Sequence, residues 1–432
     1  MRSFYNEDHL VSSLKRRACM EHQQLSAANI GISDDIQWLS QFGASASGGV
    51  TRLLYTKEWM DAQLAVKKKM EAFGLETAFD DVGNVFGRLN GTESPDEVIL
   101  TGSHIDTVID GGKYDGAFGV LAGMLAIRHL HETCGRPKKT LEAVSLCEEE
   151  GSRFPITYWG SGNITGAFSL SDAETPKDAS GISLKEAMRH NGFGAGRYPA
   201  PLRTDISAFL EIHIEQGQTL ERSGKDIGIV TGIAGQRRYT VTLDGECNHA
   251  GTTSMKWRKD PLAAGSSIIH ELMLSAERQP EELRLTCGKM TVEPNMANVI
   301  PGRIQFSVDI RHRQEDVLAA FHQKLVSIVE NISRSKGVRP FIDEYMRIEP
   351  VQMDQKLTRT AAEAAKEQGA DPEKIVSGAG HDAQMLGRTF PACMLFVPSR
   401  GGISHSPLEF TSAHQLETGV LTLANVLHKL AY

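Results

Sequence analysis

The sequence lacks any extended block of Lys and Arg, and its 432 residues carry a formal net charge of −8. A protein that grips a phosphate backbone needs such a block, so nucleic acid is not an expected partner. Cysteine is scarce as well. Cys19, Cys134, Cys147, Cys247, Cys287 and Cys393 form no CxxC pair and no disulfide-framework spacing, and they read as reduced thiols of a cytosolic protein. Residues 1–36 alternate charged and polar positions with short apolar runs. Signal peptides and membrane spans need a continuous apolar segment, so a cytoplasmic location without membrane insertion is expected. Internal repeats and low-complexity segments are also missing. Ser377 and Ser404 stand near His381, Asp382 and His405 in sequence, but no G-x-S-x-G nucleophile elbow supports a serine hydrolase. The glycines between Gly160 and Gly166 are wrongly spaced for a dinucleotide loop, and no buried strand feeds into them. Trp59, Trp159 and Trp257 read as packing residues rather than a platform for stacked bases.

What remains is an ordinary globular chain, long enough for two domains. Residues 59–73 place Met60, Leu64, Val66, Met70 and Phe73 at mostly helical spacing, and Gly74 closes the helix. The apolar run 98–100 reads as a strand, 118–130 as a buried helix and 140–147 as a second strand. Strand, helix, strand in that order predicts a mostly parallel α/β sheet. In 208–216, Leu210, Ile212 and Ile214 alternate with Glu211, His213 and Glu215, so one face is core and the other meets something polar. From 233 to 345 the pattern changes. Ile304, Phe306, Val308 and Ile310 alternate with Gln305, Ser307, Asp309 and Arg311, which predicts an antiparallel sheet covered on one side by helices at 261–276 and 317–335. The α/β pattern then resumes with a strand at 392–398 and a helix at 414–430. The expected organisation is an extension over 1–34, a larger domain in two parts (35–232 and 346–432), and a smaller α+β domain inserted at 233–345.

Candidate metal ligands sit at the ends of the predicted strands or in the loops that follow. They are His104 and Asp106, Asp115 in a glycine-rich loop, Glu148-Glu149-Glu150, His213, and His405. Parallel strands gather their carboxyl ends at one edge, where such residues can converge. Imidazole mixed with carboxylate suits Zn, Mn, Co or Ni rather than Ca. Three adjacent glutamates are costly to bury without cations. A solvated loop would hold them equally well, and spacing alone leaves both readings open.

The segments Gly102-Ser103-His104-Ile105-Asp106-Thr107, Asp115-Gly116, Glu148-Glu149-Glu150-Gly151-Ser152-Arg153-Phe154, His213-Ile214-Glu215-Gln216-Gly217, Asn248-His249-Ala250-Gly251-Thr252-Thr253, Asn298-Val299-Ile300-Pro301-Gly302, Gly380-His381-Asp382-Ala383 and Ile403-Ser404-His405 occur in this order. From about residue 35 onward the chain resembles the allantoate amidohydrolases and N-carbamoyl-L-amino-acid hydrolases, within the clan of co-catalytic metallopeptidases that includes aminoacylases and di- and tripeptidases. The resemblance implies two divalent metal ions per subunit, one held by His104 and His213, the other by Glu150 and His405, with Asp115 bridging. Asp106 would orient His104. Glu149 would be the general base that takes a proton from the attacking water and passes it to the leaving nitrogen. Substrate would be bound by residues matching Gln216, His249, Asn298, Arg311, Gly380 and His381, with Arg311 offering a carboxylate its guanidinium fork. Arg238 shares the polar side of its strand with Thr240; it either touches substrate or is solvated. The resemblance further implies a homodimer formed through the inserted domain, which would also close over the metals.

The implied reaction is hydrolysis of the ureido group of allantoate to ureidoglycine, ammonia and carbon dioxide. Gly151-Ser152-Arg153-Phe154-Pro155 and Thr51-Arg52-Leu53-Leu54-Tyr55 carry the likeness to the allantoate branch. An N-carbamoyl-L-amino-acid hydrolase is the alternative, followed by a peptidase or aminoacylase and by an inactive ureide-binding homologue.

Overall fold

The structure, a computed structural model, describes residues 30–279 and 283–432. The chain divides into two units. The first takes the chain up to Thr231 and from Gln352 to Tyr432, and the second is Gly232–Val351. Residues 1–29 of the expected extension lie outside the described residues. Ile30 and Ile32 are already buried in the first unit's core.

Strands of the first unit are β1 (Glu76–Phe79), β2 (Val85–Leu89), β3 (Ser94–His104), β4 (Lys139–Leu146), β5 (Ile206–Ile214) and β6 (Gly228–Ile233). The second unit contributes β7 (Gly235–Asp244), β8 (Met290–Glu293), β9 (Arg303–His312) and β10 (Arg339–Ile348), after which the chain returns to the first with β11 (Ala392–Val397). The main helices are α1 (Ile32–Leu39), α2 (Lys57–Ala72), α3 (Ala117–Cys134), α4 (Pro261–Glu277), α5 (Glu315–Lys336), α6 (Gln355–Glu367) and α7 (Ala413–Ala431).

The first unit's sheet runs β1-β2-β4-β3-β5-β11-β6. Its centre, β4-β3-β5-β11, is parallel, and the flanking strands are antiparallel. Helix α3 links β3 to β4. It is apolar around most of its circumference because it packs against β3, β4, β5 and α7 together. Thr56 caps α2 by accepting from the Trp59 N–H, and Gly74 stops it at φ 79°. Strand β5 is buried on both faces, so the expected polar face of Glu211, His213 and Glu215 lies inside the protein. Their charges must be answered by partners there.

In the second unit the sheet runs β8-β9-β7-β10, antiparallel throughout. The register sets Ile304 opposite Leu243 and Phe306 opposite Val241, all buried. Leu318, Phe321, Leu325 and Val329 form the buried stripe of α5 at helical spacing. They join Ile268 and Leu272 of α4 in one apolar cluster with the strands. No helix among the described residues is long and apolar enough to cross a membrane.

Two sequence expectations need correction. Cys147, Cys247, Cys287 and Cys393 are free, but Cys134 is disulfide-bonded, so the six cysteines are not all reduced thiols. Trp59 and Trp159 are packed as expected, whereas Trp257 is 71% exposed, because it sits on a short 3₁₀ turn that buries no residue.

One buried cation joins α1 to the loop after β3. Arg52 donates from Nε to the Ile105 carbonyl at 2.7 Å and from a terminal nitrogen to the carbonyls of Leu39 and Phe42 at 2.9 and 3.3 Å. Burial pushes its guanidinium down to about 10, partly offset by Asp106, so it is charged at neutral pH. Arg52→Met keeps the aliphatic stem but leaves the Ile105 and Phe42 carbonyls without this donor, while the Leu39 carbonyl still accepts from the Phe42 N–H. The expected loss is about 1–3 kcal/mol for each orphaned carbonyl, read as a lower urea midpoint; an unchanged midpoint would show that the bonds contribute nothing.

Candidate active site

The site is assembled at the carboxyl ends of the parallel strands, all within the first unit. His104 ends β3, the three glutamates follow β4, His213 is the penultimate residue of β5, and His405 lies in the loop after β11. Four residues near these positions, Asp110, Glu148, Gln216 and His405, take φ values of 52–56° without being glycine. Such backbone is uncommon and concentrates where a loop must aim a side chain. Gly116 has φ 61°, and a Cβ there would lie 2.4 Å from His104 Cε1, so only glycine lets the Asp115 loop close on that ring.

Asp115 is the shared element. Its Oδ1 lies 3.6 Å from His104 Nε2 and 3.2 Å from His213 Nε2, while its Oδ2 lies 3.4 Å from His405 Nε2. Glu150 Oε1 is 3.3 Å from the same His405 nitrogen. Two groups result, His104–Asp115–His213 and Asp115–Glu150–His405, and in each the ligand atoms lie within 4.8 Å of one another. Glu149 stands beside them with Oε2 3.9 Å from His104 Nε2.

The partner of His104 differs from the expectation. Its Nδ1 faces the Asp106 backbone carbonyl at 3.0 Å, and the Asp106 carboxylate is farther, at 3.7 Å. That carboxylate instead accepts the backbone N–H groups of Glu149 and Glu150, each at 3.1 Å. Asp106 therefore fixes the imidazole through its main chain and the two glutamates through its side chain. His213 Nδ1 lies 2.9 Å from the Ile214 carbonyl, a geometry that leaves Nε2 turned toward Asp115.

Electrostatics are severe. Burial, then Glu150 and further carboxylates, pushes the Glu149 carboxyl well above the usual range. Burial and Asp115 do the same to Glu150. For Asp115 burial opposes the charge, but His213, His405 and His104 outweigh it and hold the carboxyl well below the usual range. His213 rises to about 9 because Asp115 and Glu211 overcome the cost of burial. A buried cluster so rich in carboxylates calls for positive charge at its centre. Two neighbouring sets of imidazole nitrogen and carboxylate oxygen fit divalent ions of the Zn, Mn, Co and Ni class.

Gln216, Gly380 and His381 lie in this same unit. Gln216 Nε2 donates to Asp115 Oδ2 at 2.7 Å, and its buried Oε1 has no partner. The His381 ring is 4.7 Å from that of His213. Its Nε2 pairs with Ser377 Oγ at 3.0 Å, and burial followed by His213 lowers its pKa well below the usual value. A Cβ on Gly380 would lie 1.9 Å from the Tyr158 hydroxyl. The other four expected substrate residues belong to the second unit. His249 pairs in register with Val299, and the Ala250 N–H donates to the Asn298 carbonyl, so His249 and Asn298 are brought together. Arg238 and Arg311 converge on Asp309, donating from Nε at 2.9 and 3.1 Å. The choice between substrate contact and solvation for Arg238 overlooked this partner.

Sequence reasoning missed Glu211, Asp382, Ser404 as a site residue, and Glu409. Glu211 accepts from Ser103 Oγ at 2.6 Å and from the Ala383 N–H at 2.8 Å; Asp382 accepts from Ser161 Oγ at 2.6 Å. Glu409 reaches the Asp115 loop from the far end of the chain. Only the alternation of β5 hinted at Glu211. The others have no local pattern, because each takes a partner more than 200 residues away, Ser161 for Asp382 and the Asp115 loop for Ser404 and Glu409.

A sequence profile of Peptidase family M20/M25/M40 matches residues 100–429. The chain is 70% identical over 413 residues to the allantoate amidohydrolase of Bacillus subtilis (strain 168), a match covering 96% of this chain and 100% of that protein. It is 48% identical over 401 residues to the allantoate amidohydrolase of Escherichia coli (strain K12), covering 93% and 98%. Among solved structures, an amidase of the hydantoinase/carbamoylase family from Burkholderia multivorans superposes with a TM-score of 0.88 at 34% identity, covering 93% of this chain and 97% of that one. A profile spanning most of the chain and relatives aligned nearly end to end lead to one assignment: the chain belongs to peptidase family M20/M25/M40.

Proposed function

We propose that this protein is a two-metal hydrolase that cleaves the ureido group of allantoate, giving ureidoglycine, ammonia and carbon dioxide. The observation that carries the chemistry is one carboxylate, Asp115, shared by two ligand groups with Glu149 alongside. The substrate follows the full-length 70% identity to an allantoate amidohydrolase. An N-carbamoyl-L-amino-acid hydrolase is the alternative, supported by the structural likeness to a hydantoinase/carbamoylase amidase. The same groups would serve it.

In this reading His104, His213 and Asp115 hold one ion, and Glu150, His405 and Asp115 the other. When bound, two such ions polarise the ureido carbonyl and lower the pKa of water toward ~7. Glu149 takes the proton of the attacking water and delivers it to the leaving nitrogen. Its carboxylate stands 3.9 Å from His104 Nε2, beside the ligand group it would serve. Asp106 keeps Glu149 and Glu150 aimed by holding their N–H groups. The unpartnered Gln216 Oε1 would accept from the terminal amide of the ureide. Arg311 and Arg238 supply cationic donors suited to the substrate carboxylate, and His249, Asn298, Gly380 and His381 complete the assigned set.

We further propose a homodimer formed through the second unit. Its strand β10 pairs with β7 along one side and exposes Phe341 (66%) and Tyr345 (53%), and such an edge invites pairing with another copy. Cys147, Cys247, Cys287 and Cys393, free thiols among the described residues, support a cytoplasmic location.

Three measurements test these readings. Chelation should abolish ammonia release from allantoate, and reloading with Mn, Co, Ni or Zn should restore it; activity confined to N-carbamoyl amino acids would reverse the substrate assignment. Glu149→Gln should retain both ions while turnover falls by about 10²–10⁴-fold, and near-normal turnover in the loaded variant would remove Glu149 from the role of base. Light scattering should give the mass of a dimer for the native chain and of a monomer for the Phe341→Lys/Tyr345→Lys double variant; a monomeric native chain would reject the assembly.

A further inference from the structure

Three donors and acceptors behind Asp115 form a continuous strap from a distant part of the chain. Glu409 is 5% exposed. Its Oε2 accepts the backbone N–H groups of Tyr114 and Asp115 at 2.8 and 3.1 Å. Its Oε1 lies 3.0 Å from Ser404 Oγ, and Ser404 Oγ donates to Asp115 Oδ2 at 2.6 Å. Gln216 Nε2 reaches the same Oδ2 at 2.7 Å. The loop backbone is built tightly around the Glu409 head, since a Cβ on Gly112 would fall 2.0 Å from Oε2.

We infer that Glu409 and Ser404 are positioning residues for Asp115, fixing the plane of the carboxylate shared by the two ligand groups. This rests on the two-metal reading above. A carboxylate on a loop rotates about two side-chain bonds and moves with its backbone. Glu409 removes the backbone freedom by holding two consecutive N–H groups of that loop. Ser404 removes the rotational freedom by bonding Oδ2, which leaves Oδ1 facing His104 and His213 and Oδ2 facing His405. A ligand held in this way loses little further freedom when a cation arrives. Partners that orient metal ligands typically contribute 10–100-fold to affinity.

A Gln at position 409 has the shape and the donors and acceptors to preserve the strap, with its carbonyl oxygen accepting both N–H groups and its amide donating to Ser404 Oγ. A Leu has neither. The test is Mn²⁺ and Zn²⁺ binding by equilibrium dialysis on full-length wild type and the variants Glu409→Leu, Glu409→Gln, Ser404→Ala, Gly112→Ala and Asp115→Asn, with metal-free unfolding as the control for folding. The expected result is two ions per chain for wild type and for Glu409→Gln, with Glu409→Gln within about threefold in affinity. Glu409→Leu and Gly112→Ala, which displace the same carboxylate, should bind roughly 10–100-fold more weakly, and Ser404→Ala should fall between. If Glu409→Leu does not fold, Gly112→Ala and Ser404→Ala carry the comparison. Affinities of Glu409→Leu, Gly112→Ala and Ser404→Ala equal to wild type would overturn the inference, as would a Glu409→Gln protein as weak as Glu409→Leu. Failure of the underlying reading looks different: wild type would bind fewer than two ions, or Asp115→Asn would bind as well as wild type.

Discussion

The dominant constraint in this protein is the burial of carboxylates close to one another. Asp106, Asp115, Glu148, Glu149, Glu211, Asp382 and Glu409 are all nearly or fully inaccessible to water. Folding them together without compensation would be prohibitive. The protein answers locally with backbone N–H groups and hydroxyls. Asp106 takes the N–H groups of Glu149 and Glu150, Glu409 those of Tyr114 and Asp115, and Glu215 those of Thr219 and Leu220. Each of these carboxylates is thereby also a clamp on a loop.

These clamps explain why the candidate site's groups can stand on loops and still be held. A parallel sheet delivers its strands to one edge, where every strand must give way to a loop. Loops are ordinarily the mobile part of a fold. Here each loop at that edge is tied to another through a buried charge, so the positions of His104, Asp115, Glu150, His213 and His405 depend on one another. A change to one clamp is expected to be felt at ligands it never touches.

Much of this was legible in the sequence, for physical reasons that differ by element. Alternation in β9 gave its buried face residue by residue, because the period of a strand is a local property. The helix beginning near Trp59 and the all-round apolar α3 were readable for the same reason. Whether Glu148-Glu149-Glu150 is solvated or buried was not legible, since burial is decided by the elements that cover a loop. The order of family motifs pointed to the ligand set; it did not reveal that His104 leans on the main chain of Asp106. Glu409 gives no local sign. It is one carboxylate in a polar loop, and its meaning comes from Tyr114 and Asp115, nearly 300 residues earlier. Trp257 and Cys134 were misread because composition does not say what packs against a side chain.

The second unit shows the opposite sign of the same economy. On the polar face of its sheet Asp309 receives Arg238, Arg311 and Gln236 at once. These neighbours hold its carboxyl below the usual range, even though burial works against the charge. Two guanidinium groups are thus held on one carboxylate. Guanidinium groups held in this way have already given up the side-chain freedom that solvated ones keep. The second unit thus fixes its charges on strands, with Asp309 as the counter-ion, and the first fixes its own on loops clamped by buried acids.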